Sequence, residues 1–267
     1  MTACYRCASI ILYLHLAASL SFCDESKLIS ELRKLPGVHS VTSTPVKTKP
    51  KQIIIHLLNW HYISKEDFAT DLSDSSDGEL SEAEIEKRYR QFLDDVEAIQ
   101  NEQEQILKYL IEKHKVRSVF LEGLSKKNLS AFNSFIKTLR EFEMPEGDGA
   151  LDLFFKEQYR RDCLQMGAAA QLKISGMLES VLPLENAEAF EAANPVGKDG
   201  KVRIDKNAEE KREDEMVKLL MKGEGISVIL LGGGHDLTDN LKRMKVDSVL
   251  YFRVSGKQYE RVVNNQD

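Results

Sequence analysis

The 267-residue chain has only four cysteines, and two of them, Cys4 and Cys7, sit in the first 23 residues with no second pair at zinc-binding spacing. Cys23 and Cys163 alone remain, so neither a disulfide framework nor a cysteine zinc site is indicated. Positive charge is also not in excess. A net charge of -6 argues against a general nucleic-acid binder, which ordinarily presents a basic face. No G-x-S-x-G elbow occurs, no G-x-G-x-x-G follows an early strand, and the glycine-rich run lacks a phosphate-loop lysine. Those absences remove the elbow-serine hydrolase, the dinucleotide binder and the P-loop enzyme. The acidic, serine-rich stretch from Asp71 to Ser81 does not fit the twelve-residue calcium-loop pattern and reads as an exposed loop. No internal repeat of solenoid length is present.

A long apolar run is lacking as well. Ala8 to Leu20, interrupted by His15 and preceded by Arg6, is short of the about 20 apolar residues that a membrane span needs. Residues 1–23 therefore read as an export signal, placing the protein in the periplasm, on the cell envelope or outside the cell. Leu20-Ser21-Phe22-Cys23 loosely matches a bacterial lipobox, with Phe22 where a small residue is usual. Cleavage near Cys23 or Asp24 is the expectation. Lipidation of Cys23 and an uncleaved anchor are the alternatives, and either would be the only membrane attachment.

The remainder, residues 24–267, has the composition of one soluble domain, 42% hydrophobic and 30% charged overall. Lys27 to Leu35 has amphipathic helical spacing, and Pro36-Gly37 ends it. Thr42 to Lys51 reads as an extended lead into a strand at Gln52–Leu58. Ser81-x-x-Glu84 forms a capping box for a long helix whose apolar stripe runs through Ile85, Tyr89, Val96, Ile99, Ile106 and Leu110, with Gln103 as the interruption. His114 at its carboxyl end reads as a dipole or surface residue. Further strands are expected at Val116–Leu121, Ser180–Glu185, Ser227–Gly232 and Ser248–Val254, with Pro183 favouring a sheet edge. Helices are expected at about 129–142, 150–166, 208–222 and 237–244. Residues 194–207 read as a mobile connection, and a polar tail follows Lys257. Strands alternating with helices predict an α/β fold: a largely parallel central sheet flanked by helices, with a helical insertion around 125–180 covering the sheet's carboxyl edge.

Chemistry concentrates where strands end. Ser227-Val228-Ile229-Leu230-Leu231 stops at Gly232-Gly233-Gly234, and His235-Asp236 follow. Gln52 to Leu58 runs into Asn59-Trp60-His61-Tyr62, and Val116 to Leu121 ends on Glu122-Gly123. Ligands bind outside the carboxyl ends of parallel strands, so His61, Glu122 and His235 can converge there. Two imidazoles and a carboxylate are a common first set of ligands for a divalent cation such as manganese, cobalt, zinc or iron, and equally an acid–base set. Asn59 and Asp236 are placed to orient those groups, and Gly232, Gly233 and Gly234 allow close backbone approach to a ligand. His56 falls inside its strand and reads as supporting or structural. Plainer readings stand beside these: a packed Trp60-His61 corner, a loop cap at Glu122, a tight turn or anion-binding loop at the glycines.

The pattern of Leu58-Asn59-Trp60-His61, Leu121-Glu122-Gly123 and Gly232-Gly233-Gly234-His235 resembles the Tiki/TraB superfamily, which includes ChaN-like haem-uptake and erythromycin esterase-like proteins. The resemblance spans about Gln52 to Val254. The family's motif is two G-x-x-H elements with a glutamate between them, and Leu58 stands where the first glycine is usual. The resemblance implies an exported hydrolase of an amide or ester, with His61, Glu122 and His235 as metal ligands or as acid and base. It implies, as the alternative, a haem or metal-chelate binding protein of the cell envelope, for which Tyr62 is the axial-ligand candidate. The implied partner is then a small molecule, a peptide or haem.

Overall fold

The computed structural model describes residues 25–44, 49–74, 80–195 and 203–265. The expected export signal, with Cys23, lies outside them. The chain builds a six-stranded sheet of order β1-β6-β2-β5-β3-β4, in which all neighbours are parallel except β1 and β6. The strands are β1 (Val38–Ser43), β2 (Gln52–Asn59), β3 (Ser118–Ser125), β4 (Ser180–Glu185), β5 (Gly225–Gly232) and β6 (Val249–Gly256). The mostly parallel α/β sheet flanked by helices is the expected fold class.

Alternation along β2 explains the layering. Ile53, Ile55 and Leu57 face one way and pack with Leu28 and Leu32 of α1 (Glu25–Arg33), Ile106, Leu107 and Leu110 of α3 (Glu82–His114) and Ala168, Ala169 and Leu172 of α6 (Ala168–Ile174). Ile54 faces the other way, against Met216, Val217 and Leu220 of α8 (Lys206–Leu220) and Leu241 of α9 (Thr238–Arg243). A strand covered on both faces must be apolar at every position, which is why β2 and β5 read as unbroken hydrophobic runs. Pro183 lies on β4, an edge strand paired with β3 alone, where its missing N–H costs no ladder bond on the open side.

The long α3 is capped as its sequence requires: the Ser81 hydroxyl accepts the Glu84 N–H at 3.3 Å. Between β3 and β4 the insertion forms α4 (Leu129–Glu141), α5 (Ala150–Met166) and α6. Four segments differ from the sequence reading. Strand β1 begins at Val38 and covers the β6 edge. Helix α2 (Lys65–Asp74) takes in Asp71–Asp74, the start of the expected loop. Helix α7 (Ala187–Ala192) follows β4, with the Asn186 side chain accepting from Glu188 and Ala189 N–H groups. The tail is a helix, α10 (Lys257–Asn264), whose Tyr259 and Val262 pack on Ile99. Among the described residues no helix is long and apolar enough to cross a membrane.

A candidate active site at the carboxyl ends of the strands

Strands β2, β5 and β3 are neighbours at the centre of the sheet, and Asn59 stands opposite Gly232 at their carboxyl ends. Alternation aims Phe120 and Glu122 of β3 toward α8. That helix runs against the strands: Leu220 near its end receives the Gln52 side chain at the start of β2, and Arg212 in its first half reaches Glu122. Arg212 and Glu213 precede Met216 and Val217 by one turn, so the stripe that seals the core also carries two charges to the sheet's edge.

Glu122 is the hub. Its Oε1 accepts from Arg212 Nη2 at 2.9 Å and lies 3.4 Å from His235 Nε2. Its Oε2 accepts the Gly232 N–H at 2.6 Å and lies 3.2 Å from His61 Nε2. Arg212 also holds the fully buried Glu185 at the end of β4, with contacts of 2.5 and 3.1 Å, and its guanidinium lies 4.8 Å over the Phe190 ring. On the far side of His235, Nδ1 meets Glu213 Oε1 at 2.8 Å. His61 is the open member of the cluster, with 54% of its side chain exposed against 10% for Glu122. Gly123 supports this edge with φ +74°, a left-handed conformation within the register shift of β3 against β4, and its N–H reaches Glu185.

The electrostatics follow from these contacts. Burial pushes the Glu122 carboxyl up, but hydrogen bonds from His235 and His61 outweigh it and hold the group well below the usual range. Burial pulls His235 down, yet hydrogen bonds to Glu122 and Glu213 raise it to about 9. The hydrogen bond to Glu122 raises His61 above its ordinary value against its own desolvation. The site is therefore an ion cluster around one ionised carboxylate.

One peptide unit ties this cluster to the core. The Leu231 carbonyl lies 2.9 Å from His56 Nε2, and the N–H of the same peptide, that of Gly232, donates to Glu122. A carbonyl only accepts, so Nε2 carries the proton and Nδ1 accepts from the Tyr251 hydroxyl at 2.7 Å. His56 is fully buried, and burial drives it down to about 4, so it stays neutral. It anchors the turn and takes no place in the cluster.

Asp236, Asn59 and Tyr62 are engaged away from the cluster, and of the three glycines Gly232 alone touches it. Asp236 accepts the Thr238 N–H at 3.0 Å and pairs with Arg253; the carboxylate on His235 Nδ1 is that of Glu213. Asn59 is tied to α3, its Oδ1 accepting from Gln103 Nε2, which also donates to the Leu58 carbonyl. Tyr62 belongs to the aromatic cluster of Tyr89, Phe68 and Phe92, with the Tyr89 hydroxyl donating to its own at 3.2 Å. Gly232 is required for close approach, since a Cβ there would fall 2.7 Å from His61 Nε2. At Gly233 a Cβ would meet the Tyr259 hydroxyl, whereas Gly234 faces open space.

Arg212, Glu213 and Glu185 are the members that sequence reasoning missed. Their signal was charge at positions one turn from core residues, or at a strand's end. Both Glu122 oxygens already accept hydrogen bonds, one of them from a guanidinium, and a cation between the imidazoles would stand beside that fixed positive charge. As arranged, both imidazoles turn Nε2 to the one carboxylate, and no group of three or more His, Cys, Asp or Glu is placed to hold a metal among the described residues. No protein-family model, curated protein or solved structure matches the chain.

Proposed function

We propose that the protein is a hydrolase of an ester or amide, working by metal-free acid–base chemistry at the His61–Glu122 pair. The observation that carries this reading is a buried, ionised carboxylate bonded to a half-exposed imidazole. With Nε2 turned to Glu122, His61 presents Nδ1 away from the carboxylate, the arrangement by which an acid residue orients a general base. Neutral His61 takes a proton from water, the water oxygen attacks the carbonyl carbon, and the same proton passes to the leaving oxygen or nitrogen as the bond breaks. Glu122 stabilises the imidazolium between those transfers. His235 and Arg212 hold the other oxygen of Glu122 and keep that carboxylate ionised. The resemblance to erythromycin esterase-like proteins of the Tiki/TraB and ChaN-like superfamily, and the expected export, support the same reading and leave the natural substrate to be found.

The test is a panel of chromogenic esters and fluorogenic peptide amides, run in the presence of a chelator. Turnover that falls by about 10²–10⁴ in His61→Ala and Glu122→Gln is the expected result. Turnover untouched by both substitutions, or abolished by the chelator and restored by a divalent metal, would overturn it. Haem binding is the lesser reading, because the Tyr62 hydroxyl it would use is engaged by Tyr89.

A further inference from the structure

Away from the Glu122 cluster, the start of α5 presents apolar side chains to solvent. Leu151 is 66% exposed, Leu153 53%, Phe154 61% and Phe155 41%, and Met144 stands exposed in the turn before them. Helices of soluble proteins ordinarily confine such residues to one buried stripe; here the first two turns are apolar on the outside. At the foot of this tip lies a cleft of about 510 Å3 between α3, α5 and α6, lined by apolar Met144, Leu164 and Met177 and by charged residues that include Glu97, Lys108 and Arg160. None of the residues of the Glu122 cluster lines it. Exposed apolar side chains beside a pocket are a usual form of a binding site, and methionines let the pocket adapt to different anchors.

Charge selects the occupant. From Glu141 to Glu157 the chain has six carboxylates against one cation, Lys156, and the cleft adds Glu97 and Glu104 against Lys108 and Arg160, so acid stays in excess, with Glu141, Glu143, Glu146 and Asp148 exposed. Two copies meeting through this surface in an isologous contact would bring the same carboxylates face to face. An anionic membrane would be repelled for the same reason. An apolar face flanked by lysine or arginine would bury Leu153 and Phe154 and neutralise the rim.

We propose that the tip of α5 and the adjoining cleft form a docking site for a basic amphipathic helical segment of another protein, which seats one apolar side chain in the cleft. The probe is a short labelled leucine–lysine peptide with amphipathic helical spacing, titrated into the full chain and followed by fluorescence anisotropy. A peptide of the same composition in scrambled order is the control. The helical peptide is expected to bind, to weaken at least about tenfold on the double substitution Leu153→Ser, Phe154→Ser, and to weaken on Glu143→Gln, Glu146→Gln and with added salt. These side chains are exposed, and an unchanged Tm in each variant shows that the fold is intact. Three results would overturn the proposal. The scrambled peptide could bind as well as the helical one. Sedimentation could show a dimer of the parent that the apolar double substitution dissociates, making a second copy the occupant. Phosphatidylcholine vesicles could bind the parent and not that variant, making it a lipid surface.

Discussion

At the scale of the residue, the site is organised by one carboxylate. Glu122 accepts from Arg212, His235, His61 and the Gly232 peptide, and each contact has a kinetic consequence. A general base must be neutral to work. Because His61 is raised above its ordinary value, hydrolysis should climb with pH only beyond about 6.5, the ordinary histidine value. The charge on His235 persists to about 9, so the rate should fall again as pH passes that point. A bell-shaped profile of kcat/KM with its crest on the alkaline side is the expected outcome, and His235→Gln should remove the falling limb. A profile flat from pH 6 to 10 would leave the two histidines without the roles assigned to them. Gly232 gives a sharper test of geometry. A methyl group at this position would stand 2.7 Å from His61 Nε2 and 3.3 Å from Glu122 Oε2, and the half-exposed imidazole is the group free to move. Gly232→Ala should therefore keep its Tm within a few degrees while losing activity on the order of 100-fold, the scale of an ångström's misplacement. An equal loss of both would make the glycine a requirement of folding alone.

At the scale of the element, α8 makes the site possible. Met216, Val217 and Leu220 seal one face of the sheet, and one turn earlier the same stripe delivers Arg212 between Glu122 and Glu185. Arg212→Met leaves two carboxylates adjacent with no cation between them, one of them fully buried, and should destabilise the chain by about 3–5 kcal/mol. Thermal unfolding should show this as a Tm drop on the order of 10 °C. Adding Glu185→Leu removes one of the stranded charges and should recover part of the loss, whereas two additive losses would mean that Arg212 acts through its stacking on Phe190. The same helix shows what could be read in advance and what could not. His61 and His235 come within three residues of the end of an apolar strand and Glu122 lies in the second half of another, so their order in the chain placed them at one edge of the sheet. Arg212 and Glu213 lie among lysines and glutamates in Lys206–Leu220, where a charge that faces inward looks like any other until the neighbouring strands are known. Glu185 was read as strand but without a role, since an edge strand's last residue is as often solvated as buried. Asp236 was the natural candidate to orient His235 by adjacency. Instead the turn directs it to the start of α9, while Glu213, distant in sequence, supplies the carboxylate. Strand β1 and helix α10 are short, and their apolar residues are too few to announce an element before the sheet edge and α3 are there to pack against.

At the scale of the whole molecule, three buried or half-buried imidazoles shape stability in opposite directions. His56 is held neutral in the core and pulled down to about 4, so below its ordinary pKa near 6.5 the unfolded chain takes up a proton that the native one refuses. Its contribution is complete above that value and shrinks as pH falls toward 4. His235 is raised to about 9, with His61 raised in the same direction, so between about 6.5 and 9 the native state holds protons that the unfolded chain has released. Their contribution is complete below 6.5 and shrinks as pH rises. Glu122, held well below the usual carboxylate range, keeps its contribution throughout this span and loses it only in stronger acid. Stability should thus crest near pH 6.5 and fall on both sides, by up to about 1.4 kcal/mol per pH unit for each proton whose binding differs between the states. The crest lies below the alkaline maximum expected for hydrolysis, because the proton that His61 must lose to act as a base is one that helps hold the fold together. Urea titrations at pH 5, 6.5 and 8.5 would measure the dome, with His235→Gln expected to flatten its alkaline side and His56→Phe its acid side. Stability that rises without a break from pH 5 to 8.5 would mean that the imidazoles do not hold their protons as the Glu122 cluster requires, and the acid–base reading would fall with them.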